Sequence, residues 1–354
     1  MITSDVRHAI AGAIADEGLG PADPGLRPTG TPGQYASSVA FASGEQPRPL
    51  AARVAARLEG AGDIARAEVT GPGFITVTVT PEALAALPGR IVAAGPGCAT
   101  SVALRGVRLP APPGGDPLTE VSWEKARAAL AAQLTARLAA AAGATAAPSE
   151  GVERTVSSPP PSQLAVGGEA TVRSSAEKEA AAARPRPPDT ELARAVAYAG
   201  ADAVRFWLAR ALPGRPSAVD RQIIARHVLG NPAYAVRYAH ARAASGVRWA
   251  ANSRPISLGR AAVPQHPLAH QAELVLLDAL SWLPERVAIA ARRGRPDEFA
   301  RYLEELATAT VAALICVGYP ANARVPVTDR LALAARTGLA AGLELLGVGA
   351  PDRL

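Results

Sequence analysis

The stretch NPAYAVRYAHARAASGVRWA, residues 231–250, decides how the second half of the chain is read. Asn231 is a good helix N-cap and Pro232 suits the first helical position, so a long helix should begin here. At helical spacing Arg237, Ala241, Ala244 and Arg248 share one face, while Tyr234, Tyr238 and Arg242 share another. Small alanines between large polar groups leave room for a partner to approach. Tyr and Arg side chains can stack on unpaired bases, and Arg can also hold phosphates. Between Val219 and Arg260 the chain has seven Arg (221, 226, 237, 242, 248, 254 and 260) and a single acid, Asp220. The bland alternative is a bundle helix with a solvated Arg face and packed tyrosines. The residues alone leave both readings open.

Working outward, the pattern is helical from Asp189 almost to the end. ELARAVAYAGADAVRFWLARAL gives helix around Gly200, and AVDRQIIARHVLG reads as another helix. HQAELVLLDALSWLPERVAIAARRG, PDEFARYLEELATATVAALICVG and TDRLALAARTGLAAGLELLGVG add further helices. The expected unit over 189–354 is connector helices followed by an all-α bundle. Residues 1–80 read differently. Val6, Ile10 and Ile14 mark an amphipathic helix, and QYASSVAFA and PLAARVAARL read as two more. IARAEVTGPGFITVTVT alternates Ile75, Val77 and Val79 against threonines around a Gly71-Pro72-Gly73 turn, which predicts two strands. A small α+β unit follows. Within 81–148, TSVALRGVRL reads as a strand. Residues 119–142 form a helix with Leu130, Leu134 and Leu138 on one stripe and Gly143 as its stop. The Pro/Ser/Gly/Ala-rich stretch 149–188 is poor in large apolar residues and reads as a flexible linker.

Composition removes several function classes. The chain has 354 residues, 49% hydrophobic and 19% charged, so most of it should fold. Cys98 and Cys316 are far apart and fit neither a disulfide framework nor a zinc spacing. Among the histidines, His266 and His270 flank Pro267 and lack a third ligand, and His227 and His240 stand apart, so no metal site is expected. The N-terminal stretch carries Asp5, Arg7, His8 and Asp16 and is no signal-peptide core. The longest apolar run is too short for a bilayer. A cytoplasmic protein without membrane, metal or cofactor is the expectation. Net charge is +6, which fits an acidic partner. However, the basic residues are almost all Arg, in keeping with the Ala, Gly and Pro excess of a GC-rich coding bias.

Several stretches in order carry a family resemblance. GADAVRFWLAR (200–210), NPAYAVRYAHARAAS (231–245), RYLEELA (301–307) and LELLGVGAPDRL (343–354) resemble arginyl-tRNA synthetase. QYASSVAFA and GPGFITVTV resemble the N-terminal domain of the same family. The resemblance covers 1–80 and 190–354. It implies a mainly α fold: a small α+β N-terminal domain that contacts the tRNA D-loop, and an all-α helical bundle of DALR anticodon-binding type. The RNA-contacting residues it implies are Arg226, Tyr234, Arg237, Tyr238, His240, Arg242 and Arg248 in the bundle, Tyr35, Ser38 and Phe41 in the N-terminal domain, and the C-terminal Leu354. Ser38 stands where many members have Asn, and Leu354 where the family usually ends in Met.

The family's catalytic motifs have no counterpart in the sequence. A His-x-x-His tetrapeptide does not occur, and the only lysines, Lys125 and Lys178, stand alone. The groups that stabilise ATP phosphates during adenylate formation are therefore missing. On this reading 81–148 is a reduced remnant of the catalytic region. The expectation is a non-catalytic protein that binds tRNA, tRNA-Arg foremost, or a related RNA, with a regulatory role. One rival is a protein–protein module that kept the fold and lost its RNA. A second is a divergent enzyme with a rebuilt site.

Overall fold

The computed structural model describes residues 2–20, 23–42, 46–147, 190–212, 214, 220–252, 271–316 and 325–354. The linker expected at 149–188 lies outside them, as do His266, His270, Arg254 and Arg260.

The N-terminal unit is a four-stranded antiparallel sheet with helices beside it. The strands are β1 (Arg27–Pro28), β2 (Gln34–Ser37), β3 (Ile64–Thr70) and β4 (Phe74–Val79), in the order β1-β2-β4-β3. Helix α1 (Ile2–Asp16) and α2 (Pro47–Leu58) pack against each other. The β4 alternation is as read: Ile75, Val77 and Val79 are buried, and the threonines between them are not. QYAS, expected as helix, is strand β2. Tyr35 pairs with Val77 and Ser37 with Ile75, so a period of two buries both side chains. Only Val39–Ala42 turns helical, as a short 3-10 segment.

The middle of the described chain holds α3 (Pro81–Ala94), capped by Thr80 accepting from the Ala83 N–H at 3.2 Å. Helix α4 (Trp123–Ala141) starts at Ser122 and buries Leu130, Leu134 and Leu138. Two-residue strands β5 (Arg108–Leu109) and β6 (Thr145–Ala146) pair in parallel on either side of α4. The expected strand over TSVALRGVRL shrinks to β5. Loop backbone precedes it, held by Ser101 and Leu104 N–H groups bonded to Ala141 and Ala142 carbonyls.

The second half is helical. It comprises α5 (Glu191–Ala199), α6 (Ala201–Arg210), the single turn α7 (Arg221–Ile224), α8 (Pro232–Asn252), α9 (Gln271–Ser281), α10 (Leu283–Arg293), α11 (Pro296–Cys316) and α12 (Val325–Leu345). The chain from Ala225 to Gly230, expected to extend α7, is irregular. Helix α8 packs against α11 and α12 through Ala233, Val236, Ala239 and Ala243, none more than 1% exposed. The α11–α12 crossing is close. A Cβ on Gly342 would meet Leu303 Cδ2 at 2.4 Å, so only glycine fits without moving that leucine.

The N-terminal unit sits directly on the bundle. Tyr35 packs against Trp282 in a tilted arrangement, ring centroids 5.5 Å and planes 58° apart. Its hydroxyl pairs with Ser281 Oγ at 3.0 Å, and Gly33 N–H donates to Asp278 Oδ1 at 3.1 Å. Arg7 forks onto the buried Glu285 and also reaches Asp23, which Arg292 holds from the other side.

Candidate nucleic-acid interface

Three stacked rings run along one side of α8. Tyr234 and Tyr238, one turn apart, lie with centroids 5.8 Å apart and planes 24° apart. His227, from the turn before the helix, stacks on Tyr234 at 5.3 Å and 12°. Arg242 follows one turn beyond Tyr238. All four are half-buried or exposed. Asn231 holds the turn in place. Its Nδ2 donates to the Ile224 and Arg226 carbonyls, both at 2.8 Å, and its Oδ1 accepts from the Ala233 N–H at 3.2 Å. The residue expected only as a cap thus also fixes His227 against Tyr234.

The electrostatics favour an anion. Over 220–252 there are five Arg and one acid, five minus one giving +4 with His neutral. Asp220 is spent on the Gln222 N–H at 2.8 Å. Arg221, Arg226 and Arg242 have no carboxylate partner among the described residues. Exposed Ile223, Val228 and Leu229 surround the turn. Guanidinium groups beside an open aromatic face are what single-stranded nucleic acid requires.

The rest of α8 departs from expectation. His240 is 2% exposed; its Nδ1–H donates to the Pro351 carbonyl at 2.9 Å, and burial holds the imidazole below its usual range. Packing against the C-terminal tail therefore removes His240 from the contact set. Ala241 and Ala244 are packed rather than open. Arg237 lies 3.8 Å from Asp202, and Arg248 donates to the Asp352 carbonyl at 3.0 Å. Arg336 forks onto the Asp352 carboxylate at 3.1 and 3.0 Å. The face expected to receive a partner is largely occupied by the chain's own residues 351–352. Leu354, beyond them, is exposed.

In the N-terminal unit, Ser38 and Phe41 do come together. They line an open pocket of about 380 Å³ with Arg27, Ala42 and Phe74, and Phe41 contacts Phe74 at 4.8 Å. Gly25, at φ +58°, lets Ser38 approach: a Cβ there would lie 2.6 Å from Ser38 Oγ. Tyr35 must be corrected. It is fully buried against Trp282 and Ser281, because its strand position faces the bundle. A larger cleft of about 490 Å³ has Arg137 and Glu344 among mostly apolar walls. Its opposite charges give no net attraction for an anion.

Sequence reasoning missed His227, Arg27, Arg221 and Phe74 as site residues. His227 precedes the helix, so its place beside Tyr234 is set by the turn over 225–231 and not by helical spacing. Phe74 follows the Gly-Pro-Gly turn, and only strand pairing places it beside Phe41. Among the described residues, no group of three His, Cys, Asp or Glu could hold a metal, and no helix is long and apolar enough to cross a membrane.

Comparison with known proteins follows the same division. Residues 1–79 match the arginyl tRNA synthetase N terminal domain, and residues 236–354 match the DALR anticodon binding domain. The chain carries an arginyl-tRNA synthetase N-terminal domain and a DALR anticodon-binding domain. The arginine–tRNA ligase of Paenarthrobacter aurescens is 36% identical over 170 residues, 46% of this chain and 30% of that protein. The ligase of Kineococcus radiotolerans is 37% identical over 162 residues, 44% and 29%. These matches thus span about 30% of the length of the curated relatives. The arginyl-tRNA synthetase of Thermus thermophilus superposes with a TM-score of 0.64 at 15% identity, over 100% of each chain, which speaks to the fold. The synthetase-like chain therefore places its aromatic ladder on the first helix of the DALR match, with Tyr234 just before the matched range.

Proposed function

We propose that the chain is a non-catalytic, cytoplasmic tRNA-binding protein, with tRNA-Arg as its foremost ligand and a regulatory role. The observation that carries this is the His227–Tyr234–Tyr238 stack, half-buried at the tyrosines and exposed at His227, with Arg226 next to His227 in the chain and Arg242 one turn beyond Tyr238, on the helix that opens the DALR match. The rings offer π-faces to unpaired bases, and the guanidinium groups offer charge to the phosphates between them. The Arg27–Ser38–Phe41–Phe74 pocket supports a second contact of the same kind. Sequencing the RNA that co-purifies with the tagged full chain tests the reading. Enrichment of tRNA is expected; a sample without enriched RNA would overturn it.

Each Arg that contacts a phosphate releases counterions. Arg242→Ala should therefore flatten the log–log salt dependence of tRNA binding by roughly 0.7–1 unit. An unchanged slope would take Arg242 out of the interface.

No arginine activation is expected. Adenylate formation needs positive groups on the ATP phosphates, and the sequence has neither a His-x-x-His tetrapeptide nor paired lysines. ATP–pyrophosphate exchange with arginine should stay at background with and without tRNA. Turnover that survives removal of host synthetase would contradict this.

The rival reading, a protein-docking module, draws on exposed Ile223, Val228 and Leu229. It predicts that the same surface binds a protein and ignores tRNA.

A further inference from the structure

The aromatic ladder has two ends, and they differ. The centroid separations of 5.3 and 5.8 Å are those of rings in direct contact, so no base fits between them. A base can only add at an end. At the Tyr238 end the next position on that face, one turn on, is Arg242. At the other end stands His227, exposed, in a turn whose neighbours Arg226, Val228 and Leu229 are exposed as well.

We propose that His227 is a base-stacking platform that receives one unpaired nucleobase of an RNA loop. This rests on the RNA-binding reading above and names the ligand class: a single-stranded loop, not a duplex. Three observations converge on it. First, the planes of His227 and Tyr234 are 12° apart, so the imidazole presents its second face flat, backed by a ring that is itself backed by Tyr238. Secondly, the three hydrogen bonds of buried Asn231 fix the turn that carries His227. An exposed side chain in a free loop would lose rotamer freedom on binding; here the backbone is already set, which lowers that cost. Thirdly, Val228 and Leu229 are 51% and 57% exposed beside Arg226, which has no carboxylate partner among the described residues. Apolar surface next to a guanidinium matches a base and the phosphate attached to it. Bases inside a duplex have both faces covered by their neighbours, so only an unstacked one can use this platform.

The test uses the full chain, a tRNA transcript and a blunt RNA duplex of anticodon-stem length. Wild type, His227→Ala and His227→Phe are compared by affinity at one salt concentration, with melting temperatures alongside. His227→Ala should weaken tRNA binding by about 5- to 150-fold, the range of one stacked base. His227→Phe keeps a flat ring without ring nitrogens and should restore affinity to within a few-fold. The duplex should bind more weakly than tRNA and respond to neither variant. Melting should be unchanged, since the side chain is exposed. If His227→Ala nevertheless melts early, a 2-aminopurine placed in the loop decides on wild type: quenching on binding supports stacking, and its absence at every loop position overturns it. Loss of affinity in His227→Phe equal to that in His227→Ala would mean a hydrogen bond rather than a stack, and overturns the platform. Unchanged affinity in His227→Ala while Tyr238→Ala loses it also overturns the platform and leaves the RNA-binding reading standing. Wild type that ignores tRNA removes both.

Discussion

Replacing Tyr35 by Ala should cost about 3–5 kcal/mol of stability, the range for truncating a large buried aromatic. Tyr35 is fully buried. Its ring lies on Trp282, and its hydroxyl donates to Ser281 Oγ, which in turn donates to the Asp278 carbonyl at 2.7 Å. The substitution leaves a void in the seam between the sheet and the bundle, and Ser281 keeps only its bond to the Asp278 carbonyl. Tyr35→Phe keeps the ring and removes one bond of the chain, so about 0.5–1.5 kcal/mol is expected. Burial pushes the phenol above its ordinary value. The contribution from the neutral phenol is therefore complete below the ordinary tyrosine range and is lost as pH rises above it. Chemical denaturation of both variants measures the costs. A Tyr35→Ala protein that unfolds like wild type but binds RNA more weakly would reverse the correction and make Tyr35 a contact.

Glu285→Ala should be comparably severe. Glu285 is 2% exposed and holds both Arg7 and Arg292. Removing Glu285 leaves Arg7 and Arg292 with Asp23 alone, two positive charges on one carboxylate at the seam, at a cost approaching that of a broken buried pair, about 3–5 kcal/mol. A drop in melting temperature on the order of 10 °C is the expected scale. Arg66→Ala is the control. Arg66 pairs with Glu68 on the surface, at 69% and 41% exposure, where an ion pair is worth about 0–1 kcal/mol. The same network has a pH signature through Asp23. Desolvation raises the Asp23 carboxyl, but hydrogen bonds from Arg7 and Gly25 and the charges of Arg7 and Arg292 outweigh it and hold it down to about 2. Its contribution is present above the ordinary Asp value and fades as pH falls toward 2; with 47% of the side chain exposed, it is small. Equal melting of Glu285→Ala and Arg66→Ala would mean that the Arg7–Glu285 fork does not hold the seam.

The parts of the fold written in local pattern were legible. Leu130, Leu134 and Leu138 announced α4, Asn231-Pro232 announced α8, and the Thr/Val alternation announced β4. What failed was decided by distant chain. QYAS has four residues and no visible period, and it is a strand because β4 pairs with it. Tyr35 and His240 are polar-tipped residues that sequence reading assigned to a surface. Their hydroxyl and imidazole are satisfied by Ser281 and Pro351, far away in sequence. Ile223, Val228 and Leu229 show the converse, apolar residues that stay exposed around the turn. That Tyr234, Tyr238 and Arg242 share one side of α8 was legible because helical spacing places them together. His227 was weighed only as a metal ligand, because its partnership with Tyr234 depends on a turn that Asn231 shapes.

The claim that the open ladder of α8 holds unpaired RNA bases is tested most directly by the tRNA affinity of Tyr238→Ala against wild type over a salt series, with melting temperatures measured in parallel. Stacking is worth about 1–3 kcal/mol per base and depends little on salt, so a loss of about 5- to 150-fold at nearly unchanged slope is predicted. Unchanged tRNA affinity together with early melting would show that Tyr238 serves only the bundle, and would contradict the account.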